Sequence, residues 1–99
     1  MIAEIQVLPT PPGAAAGQWS HVDAAIAAVA ESGLTFETGP LGTTLEGTPD
    51  AVWAPLRAAH EAAIASGARA SVSIVKIFQA LDDPPTMDDL TSRHRGRRD

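Results

Sequence analysis

A chain of 99 residues, 44% hydrophobic and 19% charged, has room for one globular domain with a modest core, and its composition excludes a disordered chain. It has no cysteine, which excludes disulfides, thiolate metal sites and a thiol nucleophile. The formal net charge is −5, and residues 1–81 hold Glu4, Asp23, Glu31, Glu37, Glu46, Asp50 and Glu61 against only Arg57, Arg69 and Lys76, so the body repels a phosphate backbone and favours a cationic ligand.

Residues 2–8 alternate, with Ala3, Ile5 and Val7 on one side and Glu4 and Gln6 on the other, which predicts a first strand. Pro9, Pro11, Pro12 and Gly13 are expected to end it, and residues 9–19 read as a loop containing Ala14-Ala15-Ala16-Gly17. Ser20 followed by Asp23 fits the weaker Asp form of a capping box, and Val22, Ala25, Ile26 and Val29 then recur at helical spacing. This predicts a first helix, stopped by Gly33.

Residues 34–38 read as a second strand, Gly39-Pro40 as a turn, and residues 41–46 as a third strand. A second helix is predicted over residues 49–66. Thr48 is its N-cap, Pro49 its first helical position and Asp50 lies in the first turn. Val52, Leu56, Ala59 and Ala63 form its apolar row, flanked by Trp53, His60 and Ile64, with packing expected of Trp53. Pro55 removes a helical hydrogen bond, so a kink or a loosened first turn is expected. Gly67 ends the helix. Residues 71–78 read as a last strand, and its apolar residues on both faces predict burial on both sides.

The order strand, helix, strand, strand, helix, strand predicts an α+β, ferredoxin-like βαββαβ sandwich. In it a four-stranded antiparallel sheet carries two helices on one face. The other face would show apolar residues with Gln6 and Lys76, a surface suited to a homodimer or homotetramer. The domain is assigned to residues 1–81 and a tail to residues 82–99. In the tail, Asp82-Asp83-Pro84-Pro85 breaks regular structure and Thr86 with Asp89 is placed to cap a short helix bearing Met87 and Leu90. The basic end, Arg93 to Asp99, reads as frayed. The tail is either solvated or docks Met87 and Leu90 on a neighbouring subunit. No basic leader precedes an apolar stretch and no run of about 18 apolar residues occurs, so a cytoplasmic protein without a membrane span is expected.

The string Gly39-Pro40-Leu41-Gly42-Thr43-Thr44-Leu45-Glu46-Gly47 resembles the small thiamine-binding protein family. The opening Glu4-Ile5-Gln6-Val7-Leu8-Pro9, Ser20-His21-Val22, Val75-Lys76-Ile77 and Thr86-Met87-Asp88-Asp89-Leu90 are similar to it as well. Pro55, the alanine loop and residues 78–81 depart from the family pattern. The resemblance implies a ferredoxin-like dimer or tetramer that binds thiamine (vitamin B1) or its hydroxymethylpyrimidine part reversibly, without chemistry and with no cofactor beyond that ligand. An aminopyrimidine needs donors and acceptors in a fixed pattern plus an apolar or aromatic wall, and a thiazolium ion favours a carboxylate.

Thr43, Thr44, Glu46, Gln6, Ser20 and Lys76 are the candidate ligand-binding residues. Each has a plainer reading. Threonines suit strands in any case. Glu46 is also a surface carboxylate beside a helix start. Gln6 and Lys76 fit a polar pair satisfied across an oligomer interface, and Lys76 can instead pair with Glu4, Glu37 or Glu46 or meet a phosphorylated ligand. Ser20 fits simple N-capping, and His21 an exposed first turn. Thr44 and Glu46 share a face and Thr43 points the other way, so the three meet only at a strand end or an interface. Trp19 is placed to close over a ligand ring or to anchor its loop. His60 and Glu61, being adjacent, do not share a helix face and make no metal site.

Residue types also exclude activities. A metal chaperone needs paired thiolates, an RNA-recognition sheet needs exposed aromatics and a basic surface, and a phosphate-ester or acyl-phosphate hydrolase needs an arginine in the first loop. Two functions remain: a non-catalytic binding module for thiamine, its phosphate or a related pyrimidine, and an oligomeric interaction protein without a small-molecule ligand. No general base pairs with a nucleophile or metal at a readable spacing, so catalysis is not expected.

Overall fold

The computed structural model describes residues 1–96; the last three residues of the basic end lie outside the described residues. Strand β1 (Ile2–Thr10) leads to helix α1 (Ser20–Ala30), strands β2 (Thr35–Thr38) and β3 (Thr43–Glu46), helix α2 (Pro49–Ala65) and strand β4 (Ala70–Phe78). A short helix α3 (Met87–Thr91) and a 3-10 turn (Ser92–His94) follow. The sheet order is β2-β3-β1-β4 and every pairing is antiparallel, giving the α+β, ferredoxin-like arrangement. No helix among the described residues is long and apolar enough to cross a membrane.

The period-2 pattern of β1 sends Ala3 and Ile5 into the core, where they meet Leu45 of β3, Ala25 and Val29 of α1, and Val52, Leu56 and Ala59 of α2. Leu45, Val29 and Val52 are the largest side chains fully removed from water. Alanines at 25, 59 and 63 let the two helices approach each other closely over the sheet. The opposite sheet face is open. Leu8 faces Val72, Gln6 faces Ile74, Glu4 faces Lys76 and Ile2 faces Phe78 across the β1–β4 ladder. Leu8, Val72, Ile74 and Phe78 are all exposed there.

Several local expectations are corrected. Strand β1 does not stop before Pro9: it continues to Thr10, with Pro9 paired to Ser71. Proline is tolerated because β1 has a strand on only one side beyond Ile5, so no ladder bond is lost. Strand β4 is not buried on both faces: it ends the sheet, Val72, Ile74 and Phe78 lie on the open face, and α2 covers the other face incompletely, so Val75 and Ile77 stay exposed as well. Ser20 does not cap α1. The first free amides, of His21 and Val22, donate to the carbonyl of Pro12, and the Ser20 hydroxyl accepts from the Ala14 N–H at 3.0 Å. His21 is buried, not exposed: its Nδ1 donates to the Ser66 hydroxyl at 2.7 Å, which in turn donates to the carbonyl of Ala63.

Helix α2 runs through Pro55 without interruption, and Thr48 sits at its N-cap without a side-chain hydrogen bond. Trp53 is half-exposed instead of packed, since the α2 face that meets the core ends at Val52 and Leu56. His60 is partly buried at the core edge and pairs through Nδ1 with the Ser73 hydroxyl, tying α2 to β4.

Candidate functional site

β1 and β4 are paired over nine residues, whereas β3 pairs with β1 only from Ile2 to Ile5. β3 begins late because residues 39–42 form a tight turn, closed by the Gly39 N–H donating to the Gly42 carbonyl at 2.8 Å. Past Ile5, the β3 side of β1 is therefore vacant. A cavity of about 420 Å³ occupies this notch, a size suited to a small organic ligand. Its floor is Ile5, Gln6, Val7 and Leu8 of β1, its wall is Val22, Asp23 and Ile26 of α1, and its rim is the 38–42 turn with Trp19 opposite.

The apolar wall follows from the helical period. Ala25 and Val29 point straight into the core, while Val22 and Ile26, one step round the helix, flank it and face the notch. Trp19 is carried to the rim by the loop before α1. That loop folds back on itself, with Ala14 and Gly17 exchanging hydrogen bonds. Gly13 is required there: a Cβ at this position would collide with the backbone of Gly17 and Gln18. Trp19 is about half exposed there.

The polar groups of the cavity are few. Thr43 is buried and its hydroxyl lies 3.3 Å from that of Thr38, across the β2–β3 ladder. Gln6 lies on the floor of the cavity, and the alternation of β1 puts its side chain on the open sheet face. Asp23 supplies the one charged side chain of the lining, and no Lys or Arg among the described residues lines it. The cavity is thus an apolar, partly aromatic slot with the Thr38 and Thr43 hydroxyls on the β2–β3 side and an exposed carboxylate, Asp23, on the α1 side. Such a site suits a flat cationic molecule far better than an anion.

Of the six residues singled out from the sequence, Thr43 and Gln6 line the cavity. The other four lie elsewhere. Thr44 is on the open sheet face, opposite Glu4 and Glu37. Lys76 is on the same face and forms an ion pair with Glu4 at 3.3 Å. Ser20 braces the loop through Ala14. Glu46 accepts from the Met87 N–H at 2.7 Å, holding the start of α3 against the end of β3. Helix α3 opens with a reciprocal capping box between Thr86 and Asp89, and Met87 is buried. Thr38 and Asp23 also line the cavity and were not singled out from the sequence. Asp23 carries a helix-capping pattern that masks it, and its distance from the Gly39-to-Gly47 string hides their proximity.

On the exposed side of α2 the Arg57 guanidinium hydrogen-bonds and attracts Glu61 at 2.7 Å, which holds the Glu61 carboxyl below the usual carboxylate pKa and raises the pKa of Arg57. Among the described residues no group of three or more His, Asp or Glu is arranged to hold a metal.

Comparison with known proteins agrees with this architecture. The model of a family described as thiamine-binding protein matches residues 3–95. The UPF0045 protein sll0230 of Synechocystis is 36% identical over 89 residues, covering 90% of this chain and 72% of its own. A Bacillus cereus protein described as a domain of unknown function, DUF77, superposes with a TM-score of 0.85 at 29% identity, covering 95% of this chain and 88% of its own. A Thermotoga maritima protein provisionally named for thiamine biosynthesis or salvage shares the fold, with a TM-score of 0.74 at 19% identity over 96% of this chain and 100% of its own.

Proposed function

We propose that this chain, which belongs to the thiamine-binding protein family, holds thiamine or a closely related aminopyrimidine in the β1–α1 cavity and performs no chemistry on it. The observation that carries the reading is the charge of the lining: one carboxylate, Asp23, set among apolar and aromatic walls and two hydroxyls. In this arrangement the thiazolium ion lies near Asp23 and Trp19, and the pyrimidine lies deeper, toward Thr43 and β1. A carboxylate without a neighbouring cation disfavours a phosphate ester, so unphosphorylated thiamine or the free pyrimidine is the preferred ligand.

Titration calorimetry tests this. Thiamine binds the unaltered chain, and Asp23→Asn weakens it about five- to tenfold, because an exposed carboxylate near a cation contributes roughly 1 kcal/mol. Neutral hydroxymethylpyrimidine binds both forms equally. Absence of heat with both compounds refutes the reading.

The open sheet face favours a second property. Leu8, Val72, Ile74 and Phe78 form one apolar surface across neighbouring strands, with Gln6 and the Glu4–Lys76 pair among them. Contiguous exposed side chains of this kind mark association surfaces, so two copies of the chain pack sheet to sheet in the proposed assembly.

A further inference from the structure

We infer that the main chain of Val7 reads the ligand, pairing edge-on with an aminopyrimidine through its N–H and C=O. The inference rests on the proposed function and adds the atoms that confer its selectivity. The parity of the β1–β3 ladder carries it. At the far end, the Met1 amine donates to the Gly47 carbonyl at 2.9 Å and the Gly47 N–H donates back to the Met1 carbonyl at 3.1 Å. Met1 and Gly47 are thus a hydrogen-bonded pair, and in an antiparallel ladder such pairs recur every second residue. Ala3 with Leu45 and Ile5 with Thr43 continue the series. The next member would pair Val7 with Leu41.

Leu41 has left the ladder for the exposed tip of the 39–42 turn. Val7 therefore directs its N–H and C=O toward the vacated side, and both Val7 and Leu41 line the cavity. Among the described residues no loop or side chain takes up either group of Val7. A backbone donor and acceptor left facing a cavity call for a partner. The one after Val7 in the series is Pro9, which has no N–H. The vacated edge therefore offers a single donor with acceptors beside it. That is too little for an added peptide strand, which alternates donors and acceptors along several residues.

One extended residue presents its N–H and C=O to the same side. An aminopyrimidine presents a ring nitrogen that accepts and, next to it, an exocyclic amine that donates. The two patterns are complementary: the Val7 N–H donates to the ring nitrogen and the amine donates to the Val7 carbonyl. The ring then lies in the plane of the sheet, between the apolar wall of Val22 and Ile26 and the rim. Selectivity comes from a backbone position that no side-chain pattern advertises.

The test combines three probes with amide resonances of the 15N-labelled full chain. Thiamine and pyrithiamine share the aminopyrimidine and differ in the cationic ring. Oxythiamine replaces the amine by an oxo group and so reverses donor and acceptor. Thiamine and pyrithiamine bind alike, shift the Val7 amide proton downfield and slow its exchange at least about tenfold. Oxythiamine binds about ten- to a hundredfold more weakly, as expected when two buried polar groups meet mismatched partners. Equal binding of oxythiamine, or a Val7 amide unmoved while thiamine binds, overturns this inference alone. Failure of both thiamine and pyrithiamine to bind overturns the proposed function and this inference with it.

Discussion

Glu46 gives the sharpest separation between a ligand residue and a structural one. Its carboxylate accepts from the Met87 N–H at 2.7 Å and sits at the end of β3, outside the cavity lining. Glu46→Ala removes that acceptor. A backbone N–H bonded to a carboxylate contributes about 1.5–3 kcal/mol, and the partial exposure of Glu46 puts the loss at the lower end. Burial of Met87, only 8% exposed, continues to hold the segment with about 1.5–3 kcal/mol before ordering costs. The tail therefore stays docked most of the time but opens about tenfold more often, since 1.4 kcal/mol is a factor of ten. Hydrogen exchange read by mass spectrometry should show the 86–94 peptide exchanging about tenfold faster, with peptides from β1 and α2 unchanged. Thiamine affinity should not move. Unchanged exchange at residues 86–94 would refute the latch. A loss of thiamine affinity as large as that of Asp23→Asn would return Glu46 to the binding site.

Two further outcomes follow from the same geometry. Leu45→Ala empties a fully buried site between Val29 and Val52 and should cost about 2–5 kcal/mol in urea unfolding, a large part of the stability of a domain this small; a loss below 1 kcal/mol would mean that the core closes over the gap. Ile74→Glu puts a charge in the middle of the open apolar sheet face, so light scattering should find it in a smaller assembly than the parent chain, while an unchanged mass would place association elsewhere.

The cavity also accounts for the uneven length of the strands. A β3 as long as β1 would pair with Val7 and fill the notch with backbone. The early turn at residues 39–42 shortens β3 and leaves β1 with one neighbour from Gln6 onward. Pro9 suits that half-paired stretch, since the donor it lacks would have pointed at no strand. The site is thus made by ending a strand early, and the side chains around it only finish the lining.

Much of this was readable from local pattern. The alternation of Ala3, Ile5 and Val7 and the rows Val22-Ala25-Ile26-Val29 and Val52-Leu56-Ala59-Ala63 follow the periods of the strand and the helix, so element order and core face are properties of short stretches of chain. The same holds for the opposite facing of Thr43 and Thr44. What neighbours what across the fold is a different matter. That β4 lies at an edge, that Glu46 receives the amide of Met87 forty-one residues on, and that Asp23 and Trp19 close a notch against Thr43 depend on how distant segments pack. A period records which way a side chain points from its own element; only the packing of the elements decides what it meets there, and the vacant backbone of Val7 exists because of where another strand stops.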